Sequence, residues 1–554
     1  MDFSTIVSKV NSFIWGPIML FFLVGTGIYL MFLLRFMPLR NLGYAIKSVF
    51  SKRSRKKTSS SDGDITPFQS LMTALAATIG TGNIAGVATA MFLGGAGAVF
   101  WMWFAAIFGL ATKYSEAVLS VHFRVKTHRG NYAGGPMYAL KYGLKNKTIG
   151  SILAILFAFF AVIASFGIGN MTQSNTVALA VNNTFHIPTW ITGIVLASFA
   201  LLVIVGGIKS IGRVTEKLVP FMAFLYILGG LICIFANITE IPAGLKLIIG
   251  QAFSFDAVGG GVGGIVIAHA MRYGIARGVF SNEAGLGSAP IAAAAAKTDH
   301  PCRQGYVSMT GTFFDTILVC SITGLVIASS GLLSPGNTLT GVDLTIASFN
   351  NTLGVFGSYI VTLGTILFAF STVLGWSYYG EKSLEFFFYT DNKKQIEKQN
   401  FKEKSFEVSS TKKITLILGW ILLALGVIFV THSILQMLST GALTEGILPG
   451  LDTALGKRFY LFFVLLLIGA ICLGIGYKRE QGIANMIYRI IFCFFVFIGA
   501  TTKLTLVWDI ADTMNGLMAI PNLLSLLLLS GVIYKQTMDY ELNVLKPERA
   551  LIKK

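Results

Sequence analysis

Charged residues are scarce in this sequence. Asp, Glu, Lys and Arg together make up only 12% of its 554 residues, whereas hydrophobic residues make up 54% and the mean hydropathy is +0.71. A soluble domain of ordinary composition carries about 25% charged residues. Because packing in water cannot bury so much apolar surface, the composition excludes a soluble globular protein and indicates a chain whose main solvent is the lipid bilayer.

Metal ligands and catalytic motifs are also few. The five cysteines and six histidines lie far apart, without the spacing of a metal site or a disulfide framework. The sequence has no HExxH or GxSxG motif and no pair of aspartates at catalytic spacing. Although the net charge is +18, no basic patch is interleaved with aromatic residues. We therefore expect neither an enzyme nor a nucleic-acid-binding protein, and we expect no organic cofactor.

What the sequence does contain is a series of long apolar segments. A helix needs about 20 mostly apolar residues to cross the hydrocarbon core of a bilayer. Thirteen segments fit this length, and they predict an all-α, polytopic membrane helical bundle. They lie near residues 13–35, 67–93, 95–123, 148–181, 188–206, 215–237, 263–296, 303–330, 353–380, 414–431, 459–477, 490–508 and 515–534.

Basic residues are distributed unequally between the loops on the two sides of the bundle. If the loop at 38–57 is cytoplasmic, the loops on its side hold 34 Lys and Arg residues. The opposite loops hold only four, which are Lys9, Lys246, Lys457 and Arg458. Because Lys and Arg concentrate in cytoplasmic loops, we predict a cytoplasmic (inner) membrane location with the N-terminus outside and the C-terminus inside.

Two of the spans are interrupted by glycine and polar residues. The interruptions are GTGN (80–83) within 67–93 and RGVFSNEAGLG (277–287) within 263–296. Glycine also permits close helix packing, but here each segment brings polar side chains to mid-membrane. Unwound backbone in lipid survives only where it lines a cavity or binds something, and transporters place substrate and ions at such broken helices. The breaks lie five spans apart, as an inverted five-plus-five repeat requires, so the pattern predicts a transporter.

Ionisable side chains inside a membrane span are costly and usually functional. Those well inside the predicted spans are Glu116, Arg277, Glu283 and Asp315, followed by the less firmly placed Lys113, Arg272 and Lys503. For Glu283, three roles stay open: an ion pair with Arg277, cation binding, or proton relay. Asp315 has no basic neighbour in the sequence, so it is a candidate for coordinating a cation or a substrate amine.

At these residues the sequence resembles the alanine/glycine:cation symporter family, which comprises sodium:alanine symporters with a leucine-transporter-like fold. The resemblance covers residues from about 67 to 388 and from about 485 to 537, and it implies a 5+5 inverted-repeat core with broken first and sixth core helices. The matching blocks are ALAATIGTGNIAGVATA (74–90), GGPMYAL (134–140), FGIGNMTQSN (166–175), RGVFSNEAGLGSAPIAAAAAKTDHP (277–301), GTFFDTILVC (311–320), FAFSTVLGWSYYGEKSLE (368–385) and DIADTMNGLMAIPNLLSLLLLSGV (509–532).

The resemblance also implies roles for particular residues. The implied substrate-binding residues are Thr78, Thr81, Gly82, Gln173, Phe280, Asn282 and Trp376. The implied sodium ligands are the carbonyl groups of Ala76 and Ile79 and the hydroxyl groups of Ser371 and Thr372. Asn83 and Asp315 are candidates for a second cation site or an amine site. Neutral oxygen ligands suit a weakly bound monovalent ion that must be released, whereas a divalent ion would attract several carboxylates.

One segment departs from the family pattern. Family members run directly from YYGEKSLE into a YRxxF segment, whereas about 100 residues intervene here, and these include a lysine-rich stretch and two apolar spans. They predict a peripheral membrane hairpin. The chain is thus divided into an extra N-terminal helix with a basic loop (1–60), core helices 1–8 (61–388), the inserted hairpin (389–486), and core helices 9–10 with a cytoplasmic tail (487–554).

Together these features predict a sodium-coupled symporter that imports a small neutral amino acid, alanine or glycine, by alternating access. Two other functions stay open: a proton-coupled transporter with Glu283 or Asp315 as the proton carrier, and a transporter-like channel or sensor. One methyl group is worth only about 1–3 kcal/mol of discrimination, so the sequence does not rank the small amino acids. The expected partners are the amino-acid substrate and the bilayer, and the sequence does not set the oligomeric state.

Overall fold

Helices account for most of the chain, because a helix pairs its own backbone groups and lipid offers them no partners. The computed structural model describes residues 3–51, 54, 62–127, 130–253, 262–333, 336–388, 481–502 and 505–547. Within these residues, seven helices are long and apolar enough to span a membrane, and up to nine if each of two bent pairs counts as one span. The predicted all-α, polytopic membrane bundle is confirmed.

The first half of the bundle contains twelve described helices and one short β-hairpin. Its helices are α1 (Phe3–Ile14), α2 (Pro17–Leu33), α3 (Met37–Arg40), α4 (Leu42–Phe50), α5 (Pro67–Thr78), α6 (Val87–Gly94), α7 (Ala98–His122), α8 (Pro136–Gly143), α9 (Lys147–Phe166), α10 (Thr172–Phe185), α11 (Thr189–Ile204) and α12 (Gly207–Ala236). Between α7 and α8, β1 (Val125–Lys126) pairs antiparallel with β2 (Tyr132–Ala133). We call the side of the bundle that carries these strands the hairpin side.

The second half repeats the pattern of long spanning helices joined by shorter ones. Its helices are α13 (Ile241–Phe253), α14 (Val262–Asn282), α15 (Pro290–Ala293), α16 (Pro301–Thr312), α17 (Ser321–Ser329), α18 (Gly341–Leu353), α19 (Val355–Phe388), α20 (Gln481–Thr501), α21 (Thr505–Leu528) and α22 (Ser530–Tyr540). π-Helical turns occupy Gly82–Gly86, Gly167–Met171, Phe313–Cys320 and Glu541–Leu545. Such turns often mark functional sites, and the first three lie at or beside predicted site residues.

The packed core lies around α19, where every residue from Gly364 to Phe386 is buried or half-buried. Large apolar side chains on the opposite faces of α11 and α12 are exposed, for example Leu202 and Phe224. A soluble protein of this kind would aggregate through such surfaces. In this bundle they are the faces that contact lipid.

Both predicted helix breaks are present. The pair Pro67–Thr78 and Gly82–Gly94 is bent by 51° at the first break. At the second break, α14 ends at Asn282 and the chain does not return to helix until Pro290. The sequence placed the start of this break at Arg277, but residues 277–282 are helical. Left-handed backbone begins only at Glu283 (φ 57°) and continues at Gly285 and Gly287, where glycine carries the positive φ without a steric penalty.

The two broken helices are joined to each other on the hairpin side. Ile65, just before α5, forms a parallel β-bridge with Ala296, just after α15. The amide of Lys297 donates to the Ile65 carbonyl oxygen at 2.8 Å. Arg124 adds a further link, because its Nη1 donates to the carbonyl oxygen of Ala296 (2.7 Å) and its Nη2 donates to the carbonyl oxygen of Asp62 (3.0 Å). The ends of the first and sixth core helices are therefore tied together.

The last two helices begin earlier than the sequence predicted. The predicted starts near residues 490 and 515 lie well inside α20, which begins at Gln481, and α21, which begins at Thr505. Asp509 and Asp512, which fall between the predicted spans 490–508 and 515–534, are helical. A hydropathy window rejects such polar turns, but here protein partners pair with the polar side chains. The predicted spans 414–431 and 459–477, the lysine-rich stretch 389–413 and Lys503 lie outside the described residues.

A charged clamp joins the helices on either side of the predicted insertion. Arg489 of α20 donates to both carboxylate oxygens of Glu381 of α19, at 2.7 and 2.8 Å, and Asn485 adds a third bond at 3.1 Å. Both acidic and basic side chains are largely buried, so this bidentate pair fixes the two helices side by side. Helix α19 ends at Phe388, about two turns after Glu381. Helix α20 begins at Gln481, about two turns before Arg489.

The clamp leads to a prediction about residues 391–478. We expect a variant in which about ten Gly/Ser residues replace them to keep its thermal stability, because such a linker spans about 17 Å and the neighbouring helices lie about 10 Å apart. Unfolding in detergent, followed by the fluorescence of the size-exclusion peak, measures this. The same deletion combined with Arg489→Gln is expected to unfold at a lower temperature. Equal loss of stability in both variants would show that the core depends on the segment itself.

Candidate functional site

The unwound backbone of the first break is held by two side-chain amides. Helix α5 ends at Thr78, and the next backbone amides without a helical hydrogen bond belong to Gly80 and Thr81. The amide of Gly80 donates to Oδ1 of Asn83 at 2.9 Å. The amide of Thr81 donates to Oε1 of Gln173, from α10, at 3.2 Å. Two oxygen acceptors therefore occupy the positions that face the bare backbone.

The four predicted sodium ligands lie together beside this break. The Ser371 hydroxyl lies 3.1 Å from the carbonyl oxygen of Ala76 and 3.4 Å from that of Ile79. The Thr372 hydroxyl lies 3.5 Å from the Ile79 carbonyl oxygen. Both hydroxyl groups also donate within α19 to the carbonyl oxygen of Phe368. The structure thus places two carbonyl and two hydroxyl oxygens, all neutral, at one point between α5 and α19.

Asp315 forms the centre of a second cluster, on the other side of the first break. Its carboxylate accepts hydrogen bonds from Asn83 Nδ2 (2.7 Å), Ser281 Oγ (2.9 Å) and Thr316 Oγ1 (2.7 Å). The side chain is fully buried. The thiol of Cys320 lies 3.2 Å from the same amide nitrogen of Asn83. The predicted pair of Asn83 and Asp315 is therefore brought together, with two hydroxyl groups that the sequence analysis did not single out.

The second break is organised by Glu116, a buried carboxylate of α7. Its Oε1 accepts hydrogen bonds from the amides of Gly285 (3.0 Å) and Gly287 (3.1 Å) and from Asn522 of α21 (2.7 Å). A carboxylate that accepts hydrogen bonds from backbone amides compensates for the helical hydrogen bonds that the unwound segment has lost. From the sequence, this residue could be identified only as a charge inside a span, since its partners lie more than 160 positions away.

Aromatic side chains enclose the space between the breaks. Phe280 lies against Gly82, where a Cβ atom would come within 3.3 Å of its ring, and packs on Trp508 at 6.2 Å between ring centroids. Trp376, which is 1% exposed, packs on Gly169 of the π-helical turn in the third core helix. Of these, Trp508 was not predicted as a site residue. Little room is left between the two breaks.

Two further predicted substrate residues occupy different positions. Asn282 donates from Nδ2 to Thr316 Oγ1 at 3.0 Å and accepts at Oδ1 from the amide of Ala284 at 2.9 Å, so it forms an Asx turn at the end of α14. Thr78 donates to the carbonyl oxygen of Leu75 at 3.3 Å and lines a cavity on the side of α5 that faces α7 and α16. Asn282 therefore reaches the Asp315 cluster, whereas Thr78 faces away from the aromatic pair.

Of the three roles left open for Glu283, the ion pair with Arg277 is not formed in this structure. Arg277 pairs instead with Asp512 of α21, at 3.3 Å, on the side of the bundle opposite the hairpin side. Trp15 donates from its indole nitrogen to the Asp512 carbonyl oxygen at 2.9 Å. Glu283 points the other way and accepts a hydrogen bond from Ser288 at 2.7 Å. The reversal of the backbone at Glu283 separates the two side chains, and this turn has no signature in the spacing of the residues.

Comparison with known proteins finds relatives along nearly the whole chain. A model of the sodium:alanine symporter family matches residues 1–447 and 454–553. The sodium/alanine symporter AgcS of Methanococcus maripaludis is 48% identical over 97% of each chain. The probable sodium/glutamine symporter GlnT of Bacillus subtilis is 33% identical over 97% of this chain and 90% of its own. Among solved structures, MhsT in complex with L-phenylalanine is 11% identical, with a TM-score of 0.45 over 84% of this chain and 99% of its own.

The matches extend over more than two thirds of both chains and include the broken helices and the residues around them. Together with the apolar helices of the bundle, they describe a multi-pass membrane transporter. The chain belongs to the sodium:alanine symporter family.

Proposed function

We propose that this protein is a sodium-coupled symporter that imports a small neutral amino acid, alanine or glycine, across the cytoplasmic membrane. The observation that carries this proposal is the group of four neutral oxygens at Ala76, Ile79, Ser371 and Thr372, placed where a core helix unwinds. Carbonyl and hydroxyl oxygens replace the water around a monovalent cation without holding it too tightly for release. In this structure the two hydroxyl groups lie within hydrogen-bonding distance of the two carbonyl oxygens. A sodium ion bound among them would replace these hydrogen bonds with contacts to the ion.

The substrate carboxylate is assigned to the amides of Thr81 and Gly82. The unwound backbone carries N–H groups and the positive end of a half-helix dipole, which attract an anion. The oxygen of Gln173 that now accepts from Thr81 occupies the position of one carboxylate oxygen. The rings of Phe280 and Trp376 limit the space for the substrate side chain, which favours a hydrogen atom or a methyl group.

The Asp315 cluster is the proposed binding site for a second positively charged group. A buried carboxylate that accepts three side-chain hydrogen bonds is well placed to coordinate a second cation or the substrate ammonium group, with Asn83 and Ser281 beside it. It bonds to Asn83, in the turn that follows the first break, and to Ser281, two residues before the second break. Occupancy here would therefore connect the two breaks, and the resulting coupling free energy is what links ion and substrate.

Contacts on both sides of the site support alternating access. On the predicted outer side, Arg277 of α14 pairs with Asp512 of α21. On the predicted cytoplasmic side, which is the hairpin side, Gln69 donates to Glu216 at 2.9 Å and Thr73 lies 3.3 Å from Thr215. Each set joins a broken helix to a neighbouring helix by polar side-chain contacts. Opening one set while the other stays closed exposes the site to one side at a time.

The test is uptake of radiolabelled alanine into proteoliposomes. An inward sodium gradient is expected to drive accumulation of alanine, and a potassium gradient of the same size is not. Accumulation with a pH gradient in the absence of sodium would replace sodium by the proton as the coupling ion. Equilibration without accumulation under either gradient would identify a channel and contradict the symporter.

The Arg277–Asp512 pair gives a separate prediction. Arg277→Gln leaves the carboxylate of Asp512 unpaired and mostly buried, so we expect the rate of alanine uptake to fall about tenfold. Adding Asp512→Asn removes the unpaired charge and is expected to recover most of the rate. A double-mutant cycle on uptake rates measures the coupling. Losses that simply multiply in the double variant would show that the two residues act independently.

A further inference from the structure

The first helix of the chain, α1, lies outside the predicted transport core and packs along the first half of α21. Two polar contacts join the two helices. The indole nitrogen of Trp15 donates to the carbonyl oxygen of Asp512 at 2.9 Å, and Asn11 Nδ2 donates to Asp509 Oδ1 at 3.2 Å. Trp15 and Asp512 are each only 8% exposed. A hydrogen bond in such surroundings is costly to lose, so these contacts fix α1 against α21.

The close approach of α1 to α21 depends on Gly516. A Cβ atom at this position would overlap the side chain of Ile14 and would lie 3.2 Å from the indole nitrogen of Trp15. Gly516 follows Asp512 by about one helical turn. Ile14 and Trp15 therefore lie directly on the backbone of α21, and a side chain at Gly516 would push the two helices apart.

A proline weakens the connection between the first and second halves of α21. Pro521 lies inside the helix and has no amide hydrogen, so one carbonyl oxygen of the preceding turn loses its helical partner. Helices bend at such positions. On another face of the first half, Ala511 packs against Gly167, but a contact between two small residues does not fix a rotation. Apart from the Arg277–Asp512 pair, the contacts with α1 are the polar side-chain contacts that the described residues offer to this half.

Helix α1 is itself anchored to the bundle through α2. Pro17 begins α2 directly after Gly16, whose extended backbone (φ −76°, ψ 178°) separates the two helices. Helix α2 packs along α7, and a Cβ atom at Gly27 would come within 3.0 Å of the Phe108 carbonyl oxygen. Helix α7 in turn packs along α14, which carries Arg277. One continuous segment therefore connects α21 to the neighbour of α14.

We infer that Trp15 is a positioning residue for the outer contact, because its hydrogen bond holds Asp512 on the side of α21 that meets Arg277. The pair has a single contact, at 3.3 Å, so a small rotation of α21 would break it. Breaking it would leave a mostly buried carboxylate without its cation. Trp15 acts through Asp512 and not through the proposed sodium or substrate ligands. The inference rests on the proposed alternating access, in which the outer contact opens and closes.

Trp15→Phe tests the inference, since phenylalanine keeps an aromatic ring and lacks the N–H group. In proteoliposomes we expect sodium-driven alanine uptake to fall about fivefold, the effect of losing one hydrogen bond. In the background of Arg277→Gln with Asp512→Asn, no ion pair remains to be positioned, so the same substitution is expected to change uptake by less than about twofold. An equal loss in both backgrounds would show a merely structural role and would overturn the inference.

Hydrogen–deuterium exchange gives a readout that needs no transport. In detergent without sodium or alanine, we expect the amides of residues 507–520 to exchange faster in Trp15→Phe than in the parent protein, because the first half of α21 opens more often. Unchanged exchange in this segment would overturn the inference, whether or not the protein transports alanine. Faster exchange together with a parent protein that shows no sodium-driven uptake would contradict the proposed function and would still support the hold of Trp15 on α21.

Trp103→Phe is the matched control. Trp103 of α7 donates from its indole nitrogen to Ser321 Oγ at 2.7 Å, and neither residue belongs to α1 or α21. The same kind of bond is removed, but we expect no change in the exchange of residues 507–520. Any loss of uptake should be equal with and without the Arg277–Asp512 pair. Faster exchange of this segment in Trp103→Phe would show a general loosening and would contradict a specific role of Trp15.

A pair of glycine variants tests the same contact from the side of α21. Gly516→Ala is expected to reproduce both effects of Trp15→Phe, because the added methyl group separates α1 from α21. Gly531→Ala is its control, since a Cβ atom at Gly531 meets open space, and we expect it to change neither uptake nor exchange. Equal behaviour of the two glycine variants would contradict the inference.

Discussion

Replacing Thr372 by alanine is expected to raise the sodium concentration for half-maximal alanine uptake by about tenfold, which corresponds to losing one contact to a charged group worth about 1.5 kcal/mol. The hydroxyl of Thr372 is one of four oxygens at the proposed sodium site, and the other three remain in the variant. The maximal rate at saturating sodium should change much less. Sodium titration of alanine uptake in proteoliposomes measures both quantities.

The matched control is Thr365→Ala. Thr365 lies two turns earlier on α19, is equally buried, and donates only to the carbonyl oxygen of Val361 in its own helix. The same atoms are removed, so any general effect of losing a buried threonine appears in both variants. An unchanged sodium requirement in Thr372→Ala, or an equal shift in both variants, would remove Thr372 from the ion site.

The second large effect is expected for Asp315→Asn, which should reduce alanine uptake by about a hundredfold. Three donors converge on this carboxylate, and an amide in its place turns one acceptor into a donor. Charge is also lost from a buried cluster, where its interaction with a cation is little screened. A loss of this size corresponds to about 2.7 kcal/mol, within the range for a buried group left unsatisfied.

Asp343→Asn is the control for this variant. Asp343 is an exposed aspartate at the start of α18 and accepts one hydrogen bond from Asn183 at 3.0 Å. We expect the Asp343→Asn variant to transport alanine at the parent rate.

Thermal stabilisation of the Asp315→Asn variant in detergent then identifies what Asp315 binds. If sodium, added without alanine, no longer stabilises the variant, Asp315 binds a cation. If sodium still stabilises the variant but alanine does not, Asp315 binds the substrate ammonium group.

The positions of both breaks could be predicted from the sequence because the signal is local. Residues 80–83 are glycine or polar and lie inside an apolar run, where unwound backbone persists only if it lines a cavity or binds something. The second break likewise combines glycine with polar residues inside an apolar span. The oxygen groups of Ser371 and Thr372 also stand out on an apolar helix. Their meeting with the carbonyls of Ala76 and Ile79 rested on the family resemblance, since no periodicity brings positions 295 residues apart together.

What could not be predicted depends on long-range partners. Arg277 and Glu283 are near in sequence, yet Glu283 lies in the left-handed turn that follows α14, whereas Arg277 lies inside the helix and pairs with Asp512, 235 positions away. A distant partner also explains why the predicted start of α20 is too late. Arg489 lies inside the helix because Glu381 pairs with it. Hydropathy evaluates each residue against lipid, whereas these side chains are solvated by other parts of the protein.

The bridge between Ile65 and Ala296, reinforced by Arg124, has a mechanical consequence. Each half-helix on that side ends at an unwound segment, but the far ends of the two half-helices are hydrogen-bonded to one another, so they form one unit. A displacement of one half-helix must therefore displace the other. If sodium and substrate bind at the first break as proposed, their binding also moves the half-helix beyond the second break, which holds neither of them.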